Sequence, residues 1–155
     1  FFFFLMIHMH RSNPGPRVFA AAAWLSGQLV LFGGWQDSSG GHYHTDTWAF
    51  AASSKTWRCS TGCAGTSAAH PDMSLRGAMV AVSDTSVLLF VTANLEQDDS
   101  SFEAQVWAFD LTGSTWSRLA IDQDWEQPVA VWGQTAAVVG SNVYLFGGAA
   151  WTTIR

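Results

Sequence analysis

The chain reads as an all-β protein assembled from a repeated unit of four short strands, and three observations lead there. Leu29-Val30-Leu31-Phe32-Gly33-Gly34 returns as Val143-Tyr144-Leu145-Phe146-Gly147-Gly148. Asp46-Thr47-Trp48-Ala49-Phe50, followed by Thr56-Trp57, returns in phase as Gln105-Val106-Trp107-Ala108-Phe109, followed by Thr115-Trp116; both tryptophan spacings are 59 residues. No window carries apolar residues three and four apart over a helical length, so almost no helix is expected. Recurrence of whole strand-and-turn segments is the sequence signature of stacked repeats.

The elements follow in order. In the first unit, strands over 18–24 and 28–32 flank a Ser26-Gly27 turn, and strands over 45–50 and 56–59 flank 51–55. In the second, 76–82 and 86–91 flank Asp84-Thr85, and 104–109 and 115–119 flank Gly113-Ser114. In the third, 134–139 and 142–146 flank Gly140-Ser141. Runs of Val, Phe, Trp, Leu and Thr broken by Gly, Ser, Asp and Asn are strand-and-turn chemistry. The middle copy of the first motif, Val87-Leu88-Leu89-Phe90-Val91-Thr92, has Val-Thr where the other two have Gly-Gly. The second unit is therefore expected to leave its second strand differently.

A glycine doublet after strand two, a Trp in strand three, a Trp in strand four and a Pro-containing connection together resemble the kelch repeat. The matching residues are Gly33-Gly34 and Gly147-Gly148, Trp48 and Trp107, Trp57 and Trp116, with Pro14-Gly15-Pro16-Arg17 similar to the family's Pro-x-x-Arg entry into strand one. The resemblance covers essentially residues 14–148. It implies one β-propeller blade per unit: a kelch-type β-propeller fragment with two four-stranded antiparallel blades plus the first two strands of a third. Expected boundaries are 1–13 for an apolar segment and linker, 14–70 for blade 1, 71–127 for blade 2 and 128–155 for a partial blade 3. There are departures. Pro128 is followed by Val131 where the pattern has Arg, and Ala51 stands where Asp110 fills the next unit's position.

The motif residues have physical reasons. Glycine lets the backbone leave strand two at positive φ or approach a neighbour closely. Each motif Trp is read as core, filling the wedge between adjacent blades. Closure takes at least about four blades, so the chain is expected to be a piece of a longer propeller or to gain blades by self-association. Open sheet edges predict poor solubility for such a piece alone.

Composition removes several function classes. The net charge is −5, with 12 acidic and 7 basic residues and a single Lys, Lys55. With no basic stripe, nucleic-acid binding by phosphate attraction is not expected. The charged fraction is 12%, low for a solvated surface. Phe1 to Ile7 is an apolar run far too short to span a bilayer. It reads as a preceding-blade strand or mistranslated sequence, with a truncated signal segment as the alternative; no membrane association is expected. Cys59 and Cys63 fit a small-loop disulfide, half a metal site or two thiols.

Function is expected on one face. Because strands alternate direction within a blade, connections between strands two and three share a face with those between blades. The long connections 35–44, 60–75, 93–103 and 120–131 are all of these kinds, and long loops on a rigid scaffold carry recognition. His42, His44 and Asp46 fall on one side of an extended segment and suit a transition metal; a polar loop entering strand three is the preferred reading, and no metal or other cofactor is predicted. Glu96, Asp98, Asp99 and Glu103, with Asp122, Asp124 and Glu126, make two loops acidic and are read as a negative rim that would attract a basic partner, with solvated loops as the alternative, preferred in turn over a calcium site. Trp35 and Trp125 are candidate interface anchors, with packing over the blade end the alternative, favoured for Trp35. No Gly-x-Ser-x-Gly, phosphate loop or His-Glu-x-x-His is present.

The chain is accordingly read as a non-catalytic scaffold binding a protein partner through Trp35, His42, His44, Glu96, Asp98, Asp99, Asp124 and Trp125. The alternative is a fragment of a galactose-oxidase-like propeller enzyme with a metal near His42, His44 and Asp46, although Tyr43 and Tyr144 are the only tyrosines available for a Tyr/His copper set.

Overall fold

The computed structural model describes residues 13–37, 41–63, 69–71, 77–94, 102–121 and 132–149. The apolar run of residues 1–7 and the calls on Glu96, Asp98, Asp99, Asp122, Asp124, Trp125 and Glu126 lie outside them. The described residues form strands and turns with no helix. Blade 1 is a four-stranded antiparallel sheet of β1 (Ala21–Leu25), β2 (Gln28–Phe32), β5 (Thr47–Ala51) and β6 (Thr56–Thr61), in that spatial order. Blade 2 repeats it with β7 (Ala78–Ala81), β8 (Ser86–Asn94), β9 (Phe102–Asp110) and β10 (Thr115–Leu119). Blade 3 is the hairpin of β11 (Trp132–Val139) and β12 (Asn142–Ala149). The first strands of the blades lie side by side, β1 beside β7 and β7 beside β11. A separate two-stranded ribbon, β3 (Trp35–Gln36) with β4 (His42–Tyr43), rises from the β2–β5 connection.

The main core is the seam between blades 1 and 2. Ala21, Ala23, Val30, Phe32 and Ala49 of blade 1 face Val87, Leu89, Phe109 and Trp116 of blade 2. Alternation along each strand supplies these apolar faces. Trp116 sits edge-on to Phe32 at 5.1 Å and tilted against Phe109 at 4.9 Å. Its indole N–H donates across the seam to Thr47 Oγ1 at 2.8 Å. Thr47 is fully buried and accepts a second bond, from Thr61 Oγ1 at 2.9 Å. Three motif tryptophans, Trp48, Trp107 and Trp116, are buried as expected, while Trp57 is only half-buried.

The strand exits differ from the expected spans for local reasons. Strand one was placed from residue 18, but Phe19 adopts a left-handed φ of 61° and breaks the extension. Val18 instead exchanges both backbone hydrogen bonds with Trp35, each 2.8 Å. Gly33 and Gly34 turn the chain out of β2 at φ of 66° and 102°, and a Cβ on Gly34 would stand 2.9 Å from the Val18 carbonyl oxygen. β8, with Val91-Thr92 at that position, continues to Asn94 and pairs with β9 through Ala93↔Glu103 and Asn94↔Phe102, and β12 likewise runs on through Gly147-Gly148 to Ala149, so the doublet ends the strand in blade 1 alone. The connection expected over 93–103 is thus shortened, and Glu103 belongs to a strand rather than to an acidic loop. Cys59 and Cys63 are joined by a disulfide at the exit of β6, which resolves the three readings of that pair.

Candidate functional site

Arg17 organises the β2–β5 connection. Arg17 sits at the blade entry and turns its guanidinium inward. It donates to the carbonyls of Gly15 (3.2 Å) and Gly33 (3.0 Å), and to both carboxylate oxygens of Asp46 (2.6 and 3.2 Å). Asp46 also accepts the Trp48 indole N–H at 2.6 Å. Burial pushes the Asp46 carboxyl up, but the hydrogen bonds from Arg17 and Trp48 and the Arg17 charge together hold it below the usual carboxylate range. Backbone bonds from Gly33 to Asp46 and from His44 to Gly34 complete the clamp. Bidentate Arg–carboxylate geometry of this kind fixes orientation as well as energy.

The ribbon stands on this clamp. Trp35 pairs with Tyr43 and Gln36 with His42, so Trp35 and Tyr43 share one side. Trp35 is half-buried, with its indole close over Gly41, where a Cβ would fall 3.0 Å from Nε1. Tyr43 is exposed. On the other side the rings of His42 and His44 meet edge to face at 4.8 Å. His42 is exposed, whereas His44 turns its Nε2 into a spot where it finds no hydrogen-bond partner among the described residues. Burial, then the Arg17 charge, lowers the His44 pKa, outweighing the opposing pull of Asp46.

The predicted site residues are therefore only partly brought together. Trp35 and His42 lie on one ribbon with His44 next to it in the chain, Trp35 on one side and the two histidines on the other. Asp46, expected beside the histidines, is engaged by Arg17 and Trp48. Among the described residues no three His, Cys, Asp or Glu side chains converge to hold a metal ion. Glu103 pairs with Arg118 at 2.6 Å and accepts from Gln105 at 3.0 Å; the Gln105 bond, ahead of the Arg118 contact, lowers its pKa. Tyr43, on the same side as Trp35, was not singled out as a candidate contact. Its signal was the register, since it falls opposite Trp35 if the ribbon turns over residues 37–41. The Arg17–Asp46 clamp was also missed, because the two residues are 29 apart in sequence.

The clamp has a counterpart. In blade 2 the Trp107 indole donates to Gln105 Oε1 at 2.9 Å, two residues back, as Trp48 does to Asp46. Two antiparallel four-stranded blades, keyed by the same indole bond and stacked with their first strands adjacent, define a propeller of repeated blades. The chain belongs to the kelch-repeat family: the family model described as the KLHDC2/KLHL20/DRC7 Kelch-repeats domain matches residues 4–148. Domains of this family generally mediate protein–protein interaction and are typically non-catalytic. No curated protein matches the chain. Among the described residues no helix is long and apolar enough to cross a membrane.

Proposed function

We propose that this chain is a non-catalytic scaffold that binds a partner polypeptide through the long-loop face. The contact residues on this reading are Trp35, His42, Tyr43 and His44 of the β2–β5 connection, together with Glu96, Asp98, Asp99, Asp124 and Trp125 of the other long connections. The observation that carries the reading is the ribbon itself. It presents an exposed Tyr and a half-buried Trp on a short two-stranded projection anchored by the Arg17–Asp46 clamp. Rigid aromatic anchors beside a polar rim are what interface hot spots require. Engagement of Asp46 by Arg17 and Trp48 supports this reading over a metal enzyme.

The test is selection of peptides from a displayed random library on the immobilised chain, followed by affinity measurement with variants. Trp35→Ala and Tyr43→Ala should each weaken binding at least about tenfold, as expected for central aromatic anchors. Lys55→Ala, on the short-turn face, should leave affinity unchanged. The opposite pattern would reject the long-loop face.

A further inference from the structure

The Cys59–Cys63 disulfide stands beside the bonds that cross the blade 1–blade 2 seam. It closes a ring around Ser60, Thr61 and Gly62, with the two cysteine Cα atoms 6.2 Å apart. Cys59 lies on the ladder, opposite Trp48 of β5. Thr61 lies opposite Thr47, and the register slips between these two pairs, so Ser60 is the extra residue of a bulge. Past that bulge Thr61 is the last residue of β6, and Gly62 turns the chain away at a φ of 79°. A strand end cut off from its ladder by a bulge is a part of a sheet that opens readily. The disulfide spans this weak point, tying Cys63 beyond Thr61 back to Cys59 before it.

Thr61 leads across the seam. Its hydroxyl donates to the buried Thr47 Oγ1 at 2.9 Å, and that same oxygen accepts the Trp116 indole N–H at 2.8 Å. Side chains in hydrogen-bond contact thus run from the ring to the blade 2 core, where Trp116 packs on Phe109. Both blades of that seam belong to this chain. The ring is also seated on β5: a Cβ on Gly62 would stand 3.0 Å from Asp46 Cα and 3.1 Å from the Thr45 carbonyl oxygen. The buried Ser60 hydroxyl finds no partner among the described residues. Cys63 is exposed and Cys59 half-buried.

We propose that the Cys59–Cys63 bond is a redox lock on the blade 1–blade 2 seam: closed, it holds Thr61 against Thr47; opened by a dithiol reductant, it lets the end of β6 leave β5 and admits water to the Trp116–Thr47 bond. Reduction begins at the exposed Cys63. One thiolate of the dithiol attacks Cys63 Sγ, forms a mixed disulfide and expels Cys59 as a thiolate, which takes up a proton. The second thiolate of the reductant then attacks its own sulfur in the mixed disulfide, closes the reductant's disulfide and releases Cys63, which takes up the second proton. Two electrons and two protons reach the protein, and the dithiol is oxidised. Opening also gives the Ser60 hydroxyl access to water, which offsets part of the lost bonding. A disulfide that only constrained the unfolded chain would weaken every protected site alike when reduced. A lock acts on Trp116 and spares Trp107, whose indole bond to Gln105 lies inside blade 2. This inference concerns the seam and stands apart from the loop-face reading.

The experiment is hydrogen exchange of the tryptophan indole N–H groups, followed by nuclear magnetic resonance with and without dithiothreitol. Trp116→Phe and Trp107→Phe identify the two signals. Reduction should speed exchange at Trp116 at least about tenfold and leave Trp107 within about twofold. Cys59→Ser/Cys63→Ser should exchange as the reduced chain does, and dithiothreitol should not change it further. In Thr61→Val, where the link is already cut, Trp116 should exchange fast in both redox states. Equal exchange at Trp116 in the oxidised and reduced chains overturns the proposal. Equal acceleration at Trp107 and Trp116, unfolding of the reduced chain included, shows a general loss of stability and overturns it too. A further large effect of reduction on Trp116 in Thr61→Val is a third refuting result, because the coupling would then bypass Thr61.

Discussion

Thr47 offers the sharpest test of how the two blades are held together. Its hydroxyl oxygen is fully buried and accepts from the Trp116 indole at 2.8 Å and from Thr61 at 2.9 Å. Thr47→Val keeps the shape and removes the acceptor. Two buried donors then lose their partner, at about 1–3 kcal/mol for each one left unsatisfied. Thr61 can relax partly at the bulge between Thr47 and Trp48, so a total of about 2–4 kcal/mol is expected. Trp116→Phe removes one of the two donors and some packing, at about 2 kcal/mol. Thr47→Ser keeps the oxygen and should cost about 1 kcal/mol or less. The double variant Thr47→Val/Trp116→Phe should fall short of the sum by about 1–2 kcal/mol, because the indole N–H can be orphaned only once. Urea denaturation followed by far-ultraviolet circular dichroism, at one fixed protein concentration, gives these differences. Additive costs, or a Thr47→Val cost below about 0.5 kcal/mol, would refute the cross-seam bond.

Acid should destabilise the protein in two steps. The His44 pKa is lowered from 6.5, so the folded state disfavours its charged form, and stability present above about pH 6.5 is lost as pH falls below it. The Asp46 pKa is lowered from 3.8, so its contribution holds above about pH 4 and is lost as pH falls through the folded value. Urea midpoints against pH should show His44→Gln losing the upper step and Asp46→Asn the lower, with Asp46→Asn costing about 2–3 kcal/mol at neutral pH. Gly34→Ala should cost more than about 2 kcal/mol and Gly27→Ala about 1 kcal/mol by the same measurement. Both glycines have positive φ, but only Gly34 faces a Cβ clash, with the Val18 carbonyl. Replacing Cys59 and Cys63 with Ser should cost about 2 kcal/mol, the loop-entropy value for so short a ring; an unchanged midpoint would show that the bond leaves the unfolded chain unconstrained.

The fold was legible because its signals are local and repeated. Trp48, Trp107 and Trp116 announce buried positions by recurring in phase, and turns such as Ser26-Gly27 and Gly140-Ser141 carry their own conformational chemistry. What escaped was long-range. Arg17 reads as a motif residue, yet its partner Asp46, at the entry to β5, is visible only once β2 has joined β1 and β5 in one sheet. Asp46 consequently looked like a companion of His42 and His44. A different exit from β8 was expected at Val91-Thr92, but its result, Glu103 in a strand against Arg118, required the register of the β8–β9 pair. Tyr43 escaped because a ribbon of two residues per strand has too short a pattern to detect.

The bonds that hold the blades span very different stretches of chain. In blade 2 the Gln105–Trp107 and Glu103–Arg118 contacts close loops of 2 and 15 residues, whereas Arg17–Asp46 closes 29 and Trp116–Thr47 closes 69. Closing a longer loop costs more chain entropy before any contact repays it. Blade 2 should therefore assemble first from its own hairpins, blade 1 next, and the seam last. On that order Thr47→Val should act chiefly by speeding unfolding, with little change in the folding rate. Kinetic persistence of the folded chain would then rest on the seam, although each blade sets its own pace of formation.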